Sequence, residues 1–162
     1  MWILIIISHI LMVISLLMLL ISTINGHFII EKLGGMMTIS PLSIISIIIY
    51  VFTQSLILFL IITINKKIKA LILENSLSIS SNTYLLYKSK THVHNSLNLI
   101  FISTLGILFG AVNTGLMNNN LHTILFIIAI FHYLYVIYIQ YHCFKQITKL
   151  IVRVNDMIIT KL

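Results

Sequence analysis

From Trp2 to Ile24 the chain carries no Lys, Arg, Asp or Glu, and nearly every residue is Ile, Leu, Met or Val. An apolar run of about 20 residues has the length of a helix that crosses the hydrocarbon core of a bilayer. This feature leaves few folds open. In lipid every backbone N–H and C=O must find a partner within the protein, so only helices or closed barrels are available. Barrel strands alternate apolar and polar residues with period two. The run here does not alternate, and a helix is the expectation.

Three further runs repeat the pattern, at about 40–64, 97–117 and 121–140. Pro41 falls in the first turn of the second run, where a missing N–H does no harm. Composition agrees with a lipid environment. Of 162 residues 59% are hydrophobic and 8% charged, with mean hydropathy +1.11, whereas a soluble domain is about a quarter charged. The expected fold is all-α: a polytopic membrane protein whose four transmembrane helices form one antiparallel bundle. The spans are about 2–24, 40–64, 97–117 and 121–140, with an inner loop at 66–95 and a helix extension at 141–162. The first run does not read as a cleaved leader. Its apolar core is too long, no basic residues precede it, and no small-residue cleavage site follows.

Charge orients the bundle. Lys66, Lys67, Lys69, Lys88 and Lys90 lie between the second and third runs against Glu74 alone. Lys145, Lys149, Arg153 and Lys161 follow the fourth run against Asp156. Positive residues remain on the inner side, which places both termini and the 66–95 loop in the cytoplasm or matrix and turns His27 and Asn118–Asn120 outward. Lys66, Lys67, Lys69, Lys145, Lys149 and Arg153 thus read as topology signals attracted to anionic headgroups. Lys145, Lys149 and Arg153 share one helix face by their spacing of four. The net charge of +7 needs no nucleic-acid partner. Abundant Ile, Asn and Lys, with little Ala, point to an AT-biased genome. That fits an organelle or a reduced-genome bacterium, and hence a mitochondrial or bacterial inner membrane.

No carboxylate falls inside any expected span, which removes the usual relay of ion-coupled machines. A Walker loop, an HExxH motif and a Ser–His–Asp arrangement are absent from the sequence. The single Cys143 reads as a small buried hydrophobe. Histidine is the plentiful ionisable residue, with seven copies. Two histidines at one depth on different helices of a bundle can hold a haem b iron. His27 and His122 both fall at the outer boundary, and His132 near the middle of the fourth span, so these three are the candidate haem or metal ligands. The alternative is interfacial anchoring for the first two and a hydrogen bond between helices for His132.

Gly106 and Gly110 form a GxxxG that Ala111 widens, and small residues let helices approach closely in lipid. Asn113, about one turn beyond Gly110, fits an interhelical hydrogen bond. The aromatic residues of FHYLYVIYIQYHCF, Phe131 to Phe144, suit an interfacial belt at their inner end; stacking on a quinone or haem is the sharper reading.

The order of NGHF at Asn25–Phe28, SLILFLIITINKKIKAL at Ser55–Leu71, LGILFGAVNTG at Leu105–Gly115 and the following Leu121–His122 resembles an uncharacterised family of small bacterial four-span membrane proteins. The resemblance implies a four-helix architecture and brings no activity. In that family the second span carries a histidine and ends in an FIGTGK-like turn; here Thr53 and Gln54 stand near the histidine's place and IITINKK replaces the turn.

Two functions are expected. One is a non-enzymatic membrane subunit or accessory protein of an energy-transducing, respiratory-type complex, with the bilayer and other membrane subunits as partners. The other is a haem b-binding electron-transfer or quinone-handling protein.

Overall fold

The computed structural model describes the backbone of residues 2–32, 41–76 and 82–160, and the side chains of 3–24, 41–76, 83–112 and 114–160. Within them lie four helices: α1 (Trp2–Lys32), α2 (Pro41–Glu74), α3 (Asn82–Asn113) and α4 (Asn119–Ile159). All four are long and apolar enough to cross a membrane. The molecule is an all-α, multi-pass membrane protein.

Each helix is longer than its apolar run. α2 and α4 continue through Lys66–Glu74 and past Gln140. The larger difference is in α3. Residues 82–95, expected within a loop, form its first turns. Polar residues such as Lys88 and Lys90 lower hydropathy without opposing helix formation, so the apolar window marks the lipid-exposed part of the helix and not its beginning. The other end of α3 also falls earlier than the apolar run suggests. Gly115 adopts φ +74, a left-handed conformation that suits glycine, and the Met117 N–H reaches back 3.1 Å to the Ala111 carbonyl. Asn118 then caps α4, its side chain accepting from the Asn120 N–H at 2.8 Å.

The interior follows a seven-residue repeat. The buried side chains of α1 are Ile5, Ser8, Met12, Ser15, Leu19 and Ser22. Their spacing alternates three and four, with a large apolar residue and a serine in each heptad. On α4 the same rhythm runs through His122, Phe126, Ala129, Tyr133, Val136, Gln140, Cys143, Ile147 and Leu150. Repeats of this kind place one seam of each helix against its neighbours at small crossing angles. The serines keep α1 narrow. Ser8 and Ser15 donate to carbonyls three residues back, and Ser22 donates to Ser43 of α2 at 2.9 Å.

Contacts between helices fix the topology. Ser22 meets Ser43, Asn98 meets Tyr50, Tyr84 meets Asn65, and His122 meets Leu105. Between α2 and α3, between α3 and α4 (Asn98 with His132, Leu105 with His122) and between α1 and α4 (Ser15 with Tyr133, His9 with Phe144) one number rises as the other falls, so these neighbours are antiparallel. α3 packs most extensively on α4 and α1 on α2, while the α1 and α3 backbones do not come close to each other among the described residues. The helices therefore stand in a ring with α1 and α3 on a diagonal. Two apolar clusters fill it. One, toward the α3–α4 turn, includes Leu19, Ile102, Leu105, Phe126 and Ile130. The other, toward the lysine-rich end, includes Met12, Ile57, Ile61, Ile64, Phe144 and Ile147.

The two glycines of the GxxxG differ. A Cβ built on Gly106 would lie 2.7 Å from Ile47 Cδ1 of α2, whereas one built on Gly110 would meet none of the described residues within 4 Å. Gly106→Leu should therefore lower the thermal midpoint in detergent, through overpacking of about 1–3 kcal/mol. Gly110→Ala should leave it level or raise it, because alanine favours a helix by up to ~1 kcal/mol over glycine. Circular-dichroism melts of the two variants check this; equal losses would contradict it.

Candidate functional site

Where the two apolar clusters meet, polar side chains from all four helices gather at one level. Hydrocarbon offers them no other partners, so each group must bond within the bundle. Gln54 of α2, fully buried, is the node. Its Nε2 donates to the Tyr133 hydroxyl at 2.8 Å, its Oε1 accepts from Gln140 Nε2 at 2.7 Å, and its carbonyl accepts from Asn95 Nδ2 at 3.3 Å.

Ser15 Oγ and the Tyr133 hydroxyl lie 2.6 Å apart, and both reach the Met12 carbonyl, at 3.0 and 3.5 Å. The bonds run from Gln140 to Gln54, to Tyr133, to Ser15 and on to the α1 backbone. α3 joins through Asn95. Among the described residues, Asn95 Oδ1 and Gln140 Oε1 are buried acceptors left without a partner.

A second set lies about one turn nearer the α3–α4 turn. The Tyr50 hydroxyl donates to Asn98 Oδ1 at 2.5 Å, and the Tyr50 ring meets the Tyr133 ring edge-on at 4.9 Å. Asn98 Nδ2 donates to the Ala129 carbonyl and to His132 Nδ1, both at 3.0 Å. These bonds assign the histidine tautomer. With Nδ1 accepting, the His132 proton sits on Nε2, which faces His94 Nδ1 at 3.5 Å. His94 then carries its own proton on Nε2.

The sequence-derived candidates are placed as follows. His122 is buried; its Nε2 donates to the Leu105 carbonyl at 2.8 Å, and its ring lies between those of Phe109 and Phe126. His132 and His94 are in direct contact, with ring centroids 5.7 Å apart. A haem held by two histidines needs its macrocycle between their rings, and this pair leaves no gap for one. The His27 and Asn113 side chains lie outside the described residues. Among those described, no three His, Cys, Asp or Glu residues come together as a metal-binding group. A cavity of about 60 Å³ beside His122, lined also by Ser22, Ser43, Gly106, Phe109 and Thr123, opens near the α3–α4 turn. It suits a few waters. Lys66, Lys67, Lys69, Lys145, Lys149 and Arg153 are all exposed at the opposite end.

Sequence reasoning did not single out Tyr50, Tyr133, Gln140, Asn95 or Asn98 as a unit, and it noted Gln54 only by its place in a motif. A signal was present. An amide inside an otherwise apolar run must face the protein interior, and Gln54, Asn98 and Gln140 share that property, whereas Asn95 lies in the polar stretch expected as a loop.

Gln54→Leu removes the bonds to Tyr133 and Gln140 while keeping bulk. It should destabilise the fold in mixed micelles by about 1–2 kcal/mol, the range of buried polar contacts in membrane bundles. A double-mutant cycle with Tyr133→Phe should return a coupling of ~0.5–2 kcal/mol; additive losses would show that the two side chains do not act together.

No protein-family model matches the chain, and neither the curated proteins nor the solved structures compared with it contain a match.

Proposed function

We propose that the protein is a non-enzymatic subunit or accessory component of a larger membrane assembly of the energy-transducing, respiratory type, held in a bacterial or mitochondrial inner membrane. The observation that carries this reading is the Gln54 layer. The polar groups at mid-depth are engaged in fastening the four helices to one another. A bundle built this way acts through its surface, and that surface is rich in exposed Ile, Leu and Phe along its length. The lysine-rich ends of α2 and α4 suit the inner side of the membrane, with both termini there.

The haem b alternative through His27, His122 and His132 has less support. His122 Nε2 is engaged with the Leu105 carbonyl, and His132 is held between Asn98 and His94.

Two measurements separate the readings. On a native gel after mild detergent extraction, the chain should migrate in an assembly several times heavier than its own 18.5 kDa; migration as a free monomer would contradict the proposal. The purified protein should show no Soret absorption, and a Soret band lost in His122→Ala would favour the haem reading instead.

A further inference from the structure

All four helices line the cavity beside His122, and two of them begin there. Asn119 is the first residue of α4 and Ser43 the third of α2, and both contribute to its wall. Unpaired N–H groups give a helix N-terminus a partial positive charge, equivalent to about half a unit charge. Glu74 and Asp156, two of the chain's three acidic residues, lie at the opposite, lysine-rich end.

Polar groups with protons to spare gather at the same place. Ser22 donates to Ser43 Oγ at 2.9 Å, and Ser43 donates its own hydroxyl proton to none of the described residues. The Thr123 hydroxyl makes no hydrogen bond among them either. Thr23, by contrast, donates to the Leu19 carbonyl at 2.7 Å.

His122 adds the group that decides the chemistry. It is 7% exposed, and it lines the cavity. Nε2 carries the proton donated to the Leu105 carbonyl, so Nδ1 holds a lone pair. Nδ1 has no hydrogen bond among the described residues, yet the buried atoms sealed without a partner are Asn95 Oδ1 and Gln140 Oε1 alone. Open space therefore reaches Nδ1, and the open space beside His122 is the cavity. A bare lone pair repels an anion. Once protonated, Nδ1 becomes a further donor and brings the balancing charge. Every other described side chain that α1, α2, α3 and α4 turn to the cavity is uncharged and does not titrate. The side chains of His27, Glu31 and Lys32, at the same end of α1, lie outside the described residues.

Size and lining narrow the class of ligand. A volume of about 60 Å³ holds a halide-sized ion with a water or two. Ile47, Phe109 and Phe126 complete the wall with apolar surface. Such a wall favours a weakly hydrated monovalent ion over a multiply charged one, whose desolvation costs more. It also strengthens each hydrogen bond to the ion.

We infer that this cavity binds a monovalent anion of halide size, taken up together with one proton from the adjoining water onto His122 Nδ1. Ser43 and Thr123 are the hydroxyl donors, and the α2 and α4 N-termini supply the surrounding positive potential. The inference concerns the isolated chain and does not depend on membership of a larger assembly.

The test is chloride binding to the full chain in phosphatidylcholine nanodiscs, read from chlorine NMR line broadening above that of empty nanodiscs. Broadening should saturate and be reversed by bromide. Affinity should be several-fold higher at about pH 5.5 than at about pH 8, because the bound state holds one more proton. His122→Gln, which keeps an N–H but does not titrate, should bind without pH dependence. Thr123→Val should weaken binding about tenfold, the worth of one charge-assisted hydrogen bond, and keep the pH dependence. Lys145→Gln with Lys149→Gln, at the opposite end, should change neither. Circular-dichroism melts confirm that each variant folds; Thr123→Val removes no hydrogen bond of the fold, so it decides the matter if His122→Gln does not fold. Broadening that never saturates, or that vanishes with the two lysine substitutions, would overturn the inference. Equal affinity at the two pH values would do the same. So would binding unaffected by Thr123→Val.

Discussion

The hydrogen bonds that converge on Gln54 decide how the four helices line up. Heptad packing alone leaves the alignment open. On α1 the units Ile5–Ser8, Met12–Ser15 and Leu19–Ser22 are near-repeats. Sliding α1 by seven residues would still set an aliphatic or methionine side chain and a serine against each neighbouring layer. Ser15 differs from Ser8 and Ser22 in having Tyr133 beside it, and Tyr133 in turn is held by Gln54. Buried polar groups that fix register within an apolar seam are the best-attested use of such groups. Here the layer ties α1, α2, α3 and α4 at one depth, and the apolar clusters on either side pack in the register it sets.

The four membrane runs were legible in the sequence because lipid imposes a length and an apolarity that few other structures share. Orientation within the bundle was harder to read. Where nearly every residue is apolar, amphipathic contrast disappears and periodicity says little about which face is buried. The amides of Gln54, Asn98 and Gln140 held that information, since hydrocarbon excludes them, but only the folded arrangement shows that Gln54 joins Gln140, Asn95 and Tyr133 at once. The start of α3 was misplaced for the complementary reason. Lys88, Asn95 and their neighbours are polar, yet they lie in a helix packed on α4.

The histidines show how context divides one residue type. His122 closes a turn of α3 by donating to the Leu105 carbonyl. His132 is the outer relay of a hydrogen-bond sequence that begins at Tyr50. His94 ends that sequence on the flank of the bundle. Depth along the chain pointed to His27 and His122 as a level pair, of which the His27 side chain lies outside the described residues; the folded arrangement also joins His132 to His94, a residue expected in a loop. The same Asn98 that locks α3 to α4 also sets the direction of the histidine pair.

The most direct check of the register claim is disulfide formation between Ser22→Cys and Ser43→Cys in lipid, in a Cys143→Ala background. The parent hydroxyls lie 2.9 Å apart, well away from the Gln54 layer. With the layer intact the cross-link should form rapidly and nearly completely. When Gln54→Leu and Tyr133→Phe remove the layer, the rate should fall several-fold as α1 explores shifted alignments. An unchanged rate would contradict the account, because the helices would then be holding their register without the polar layer.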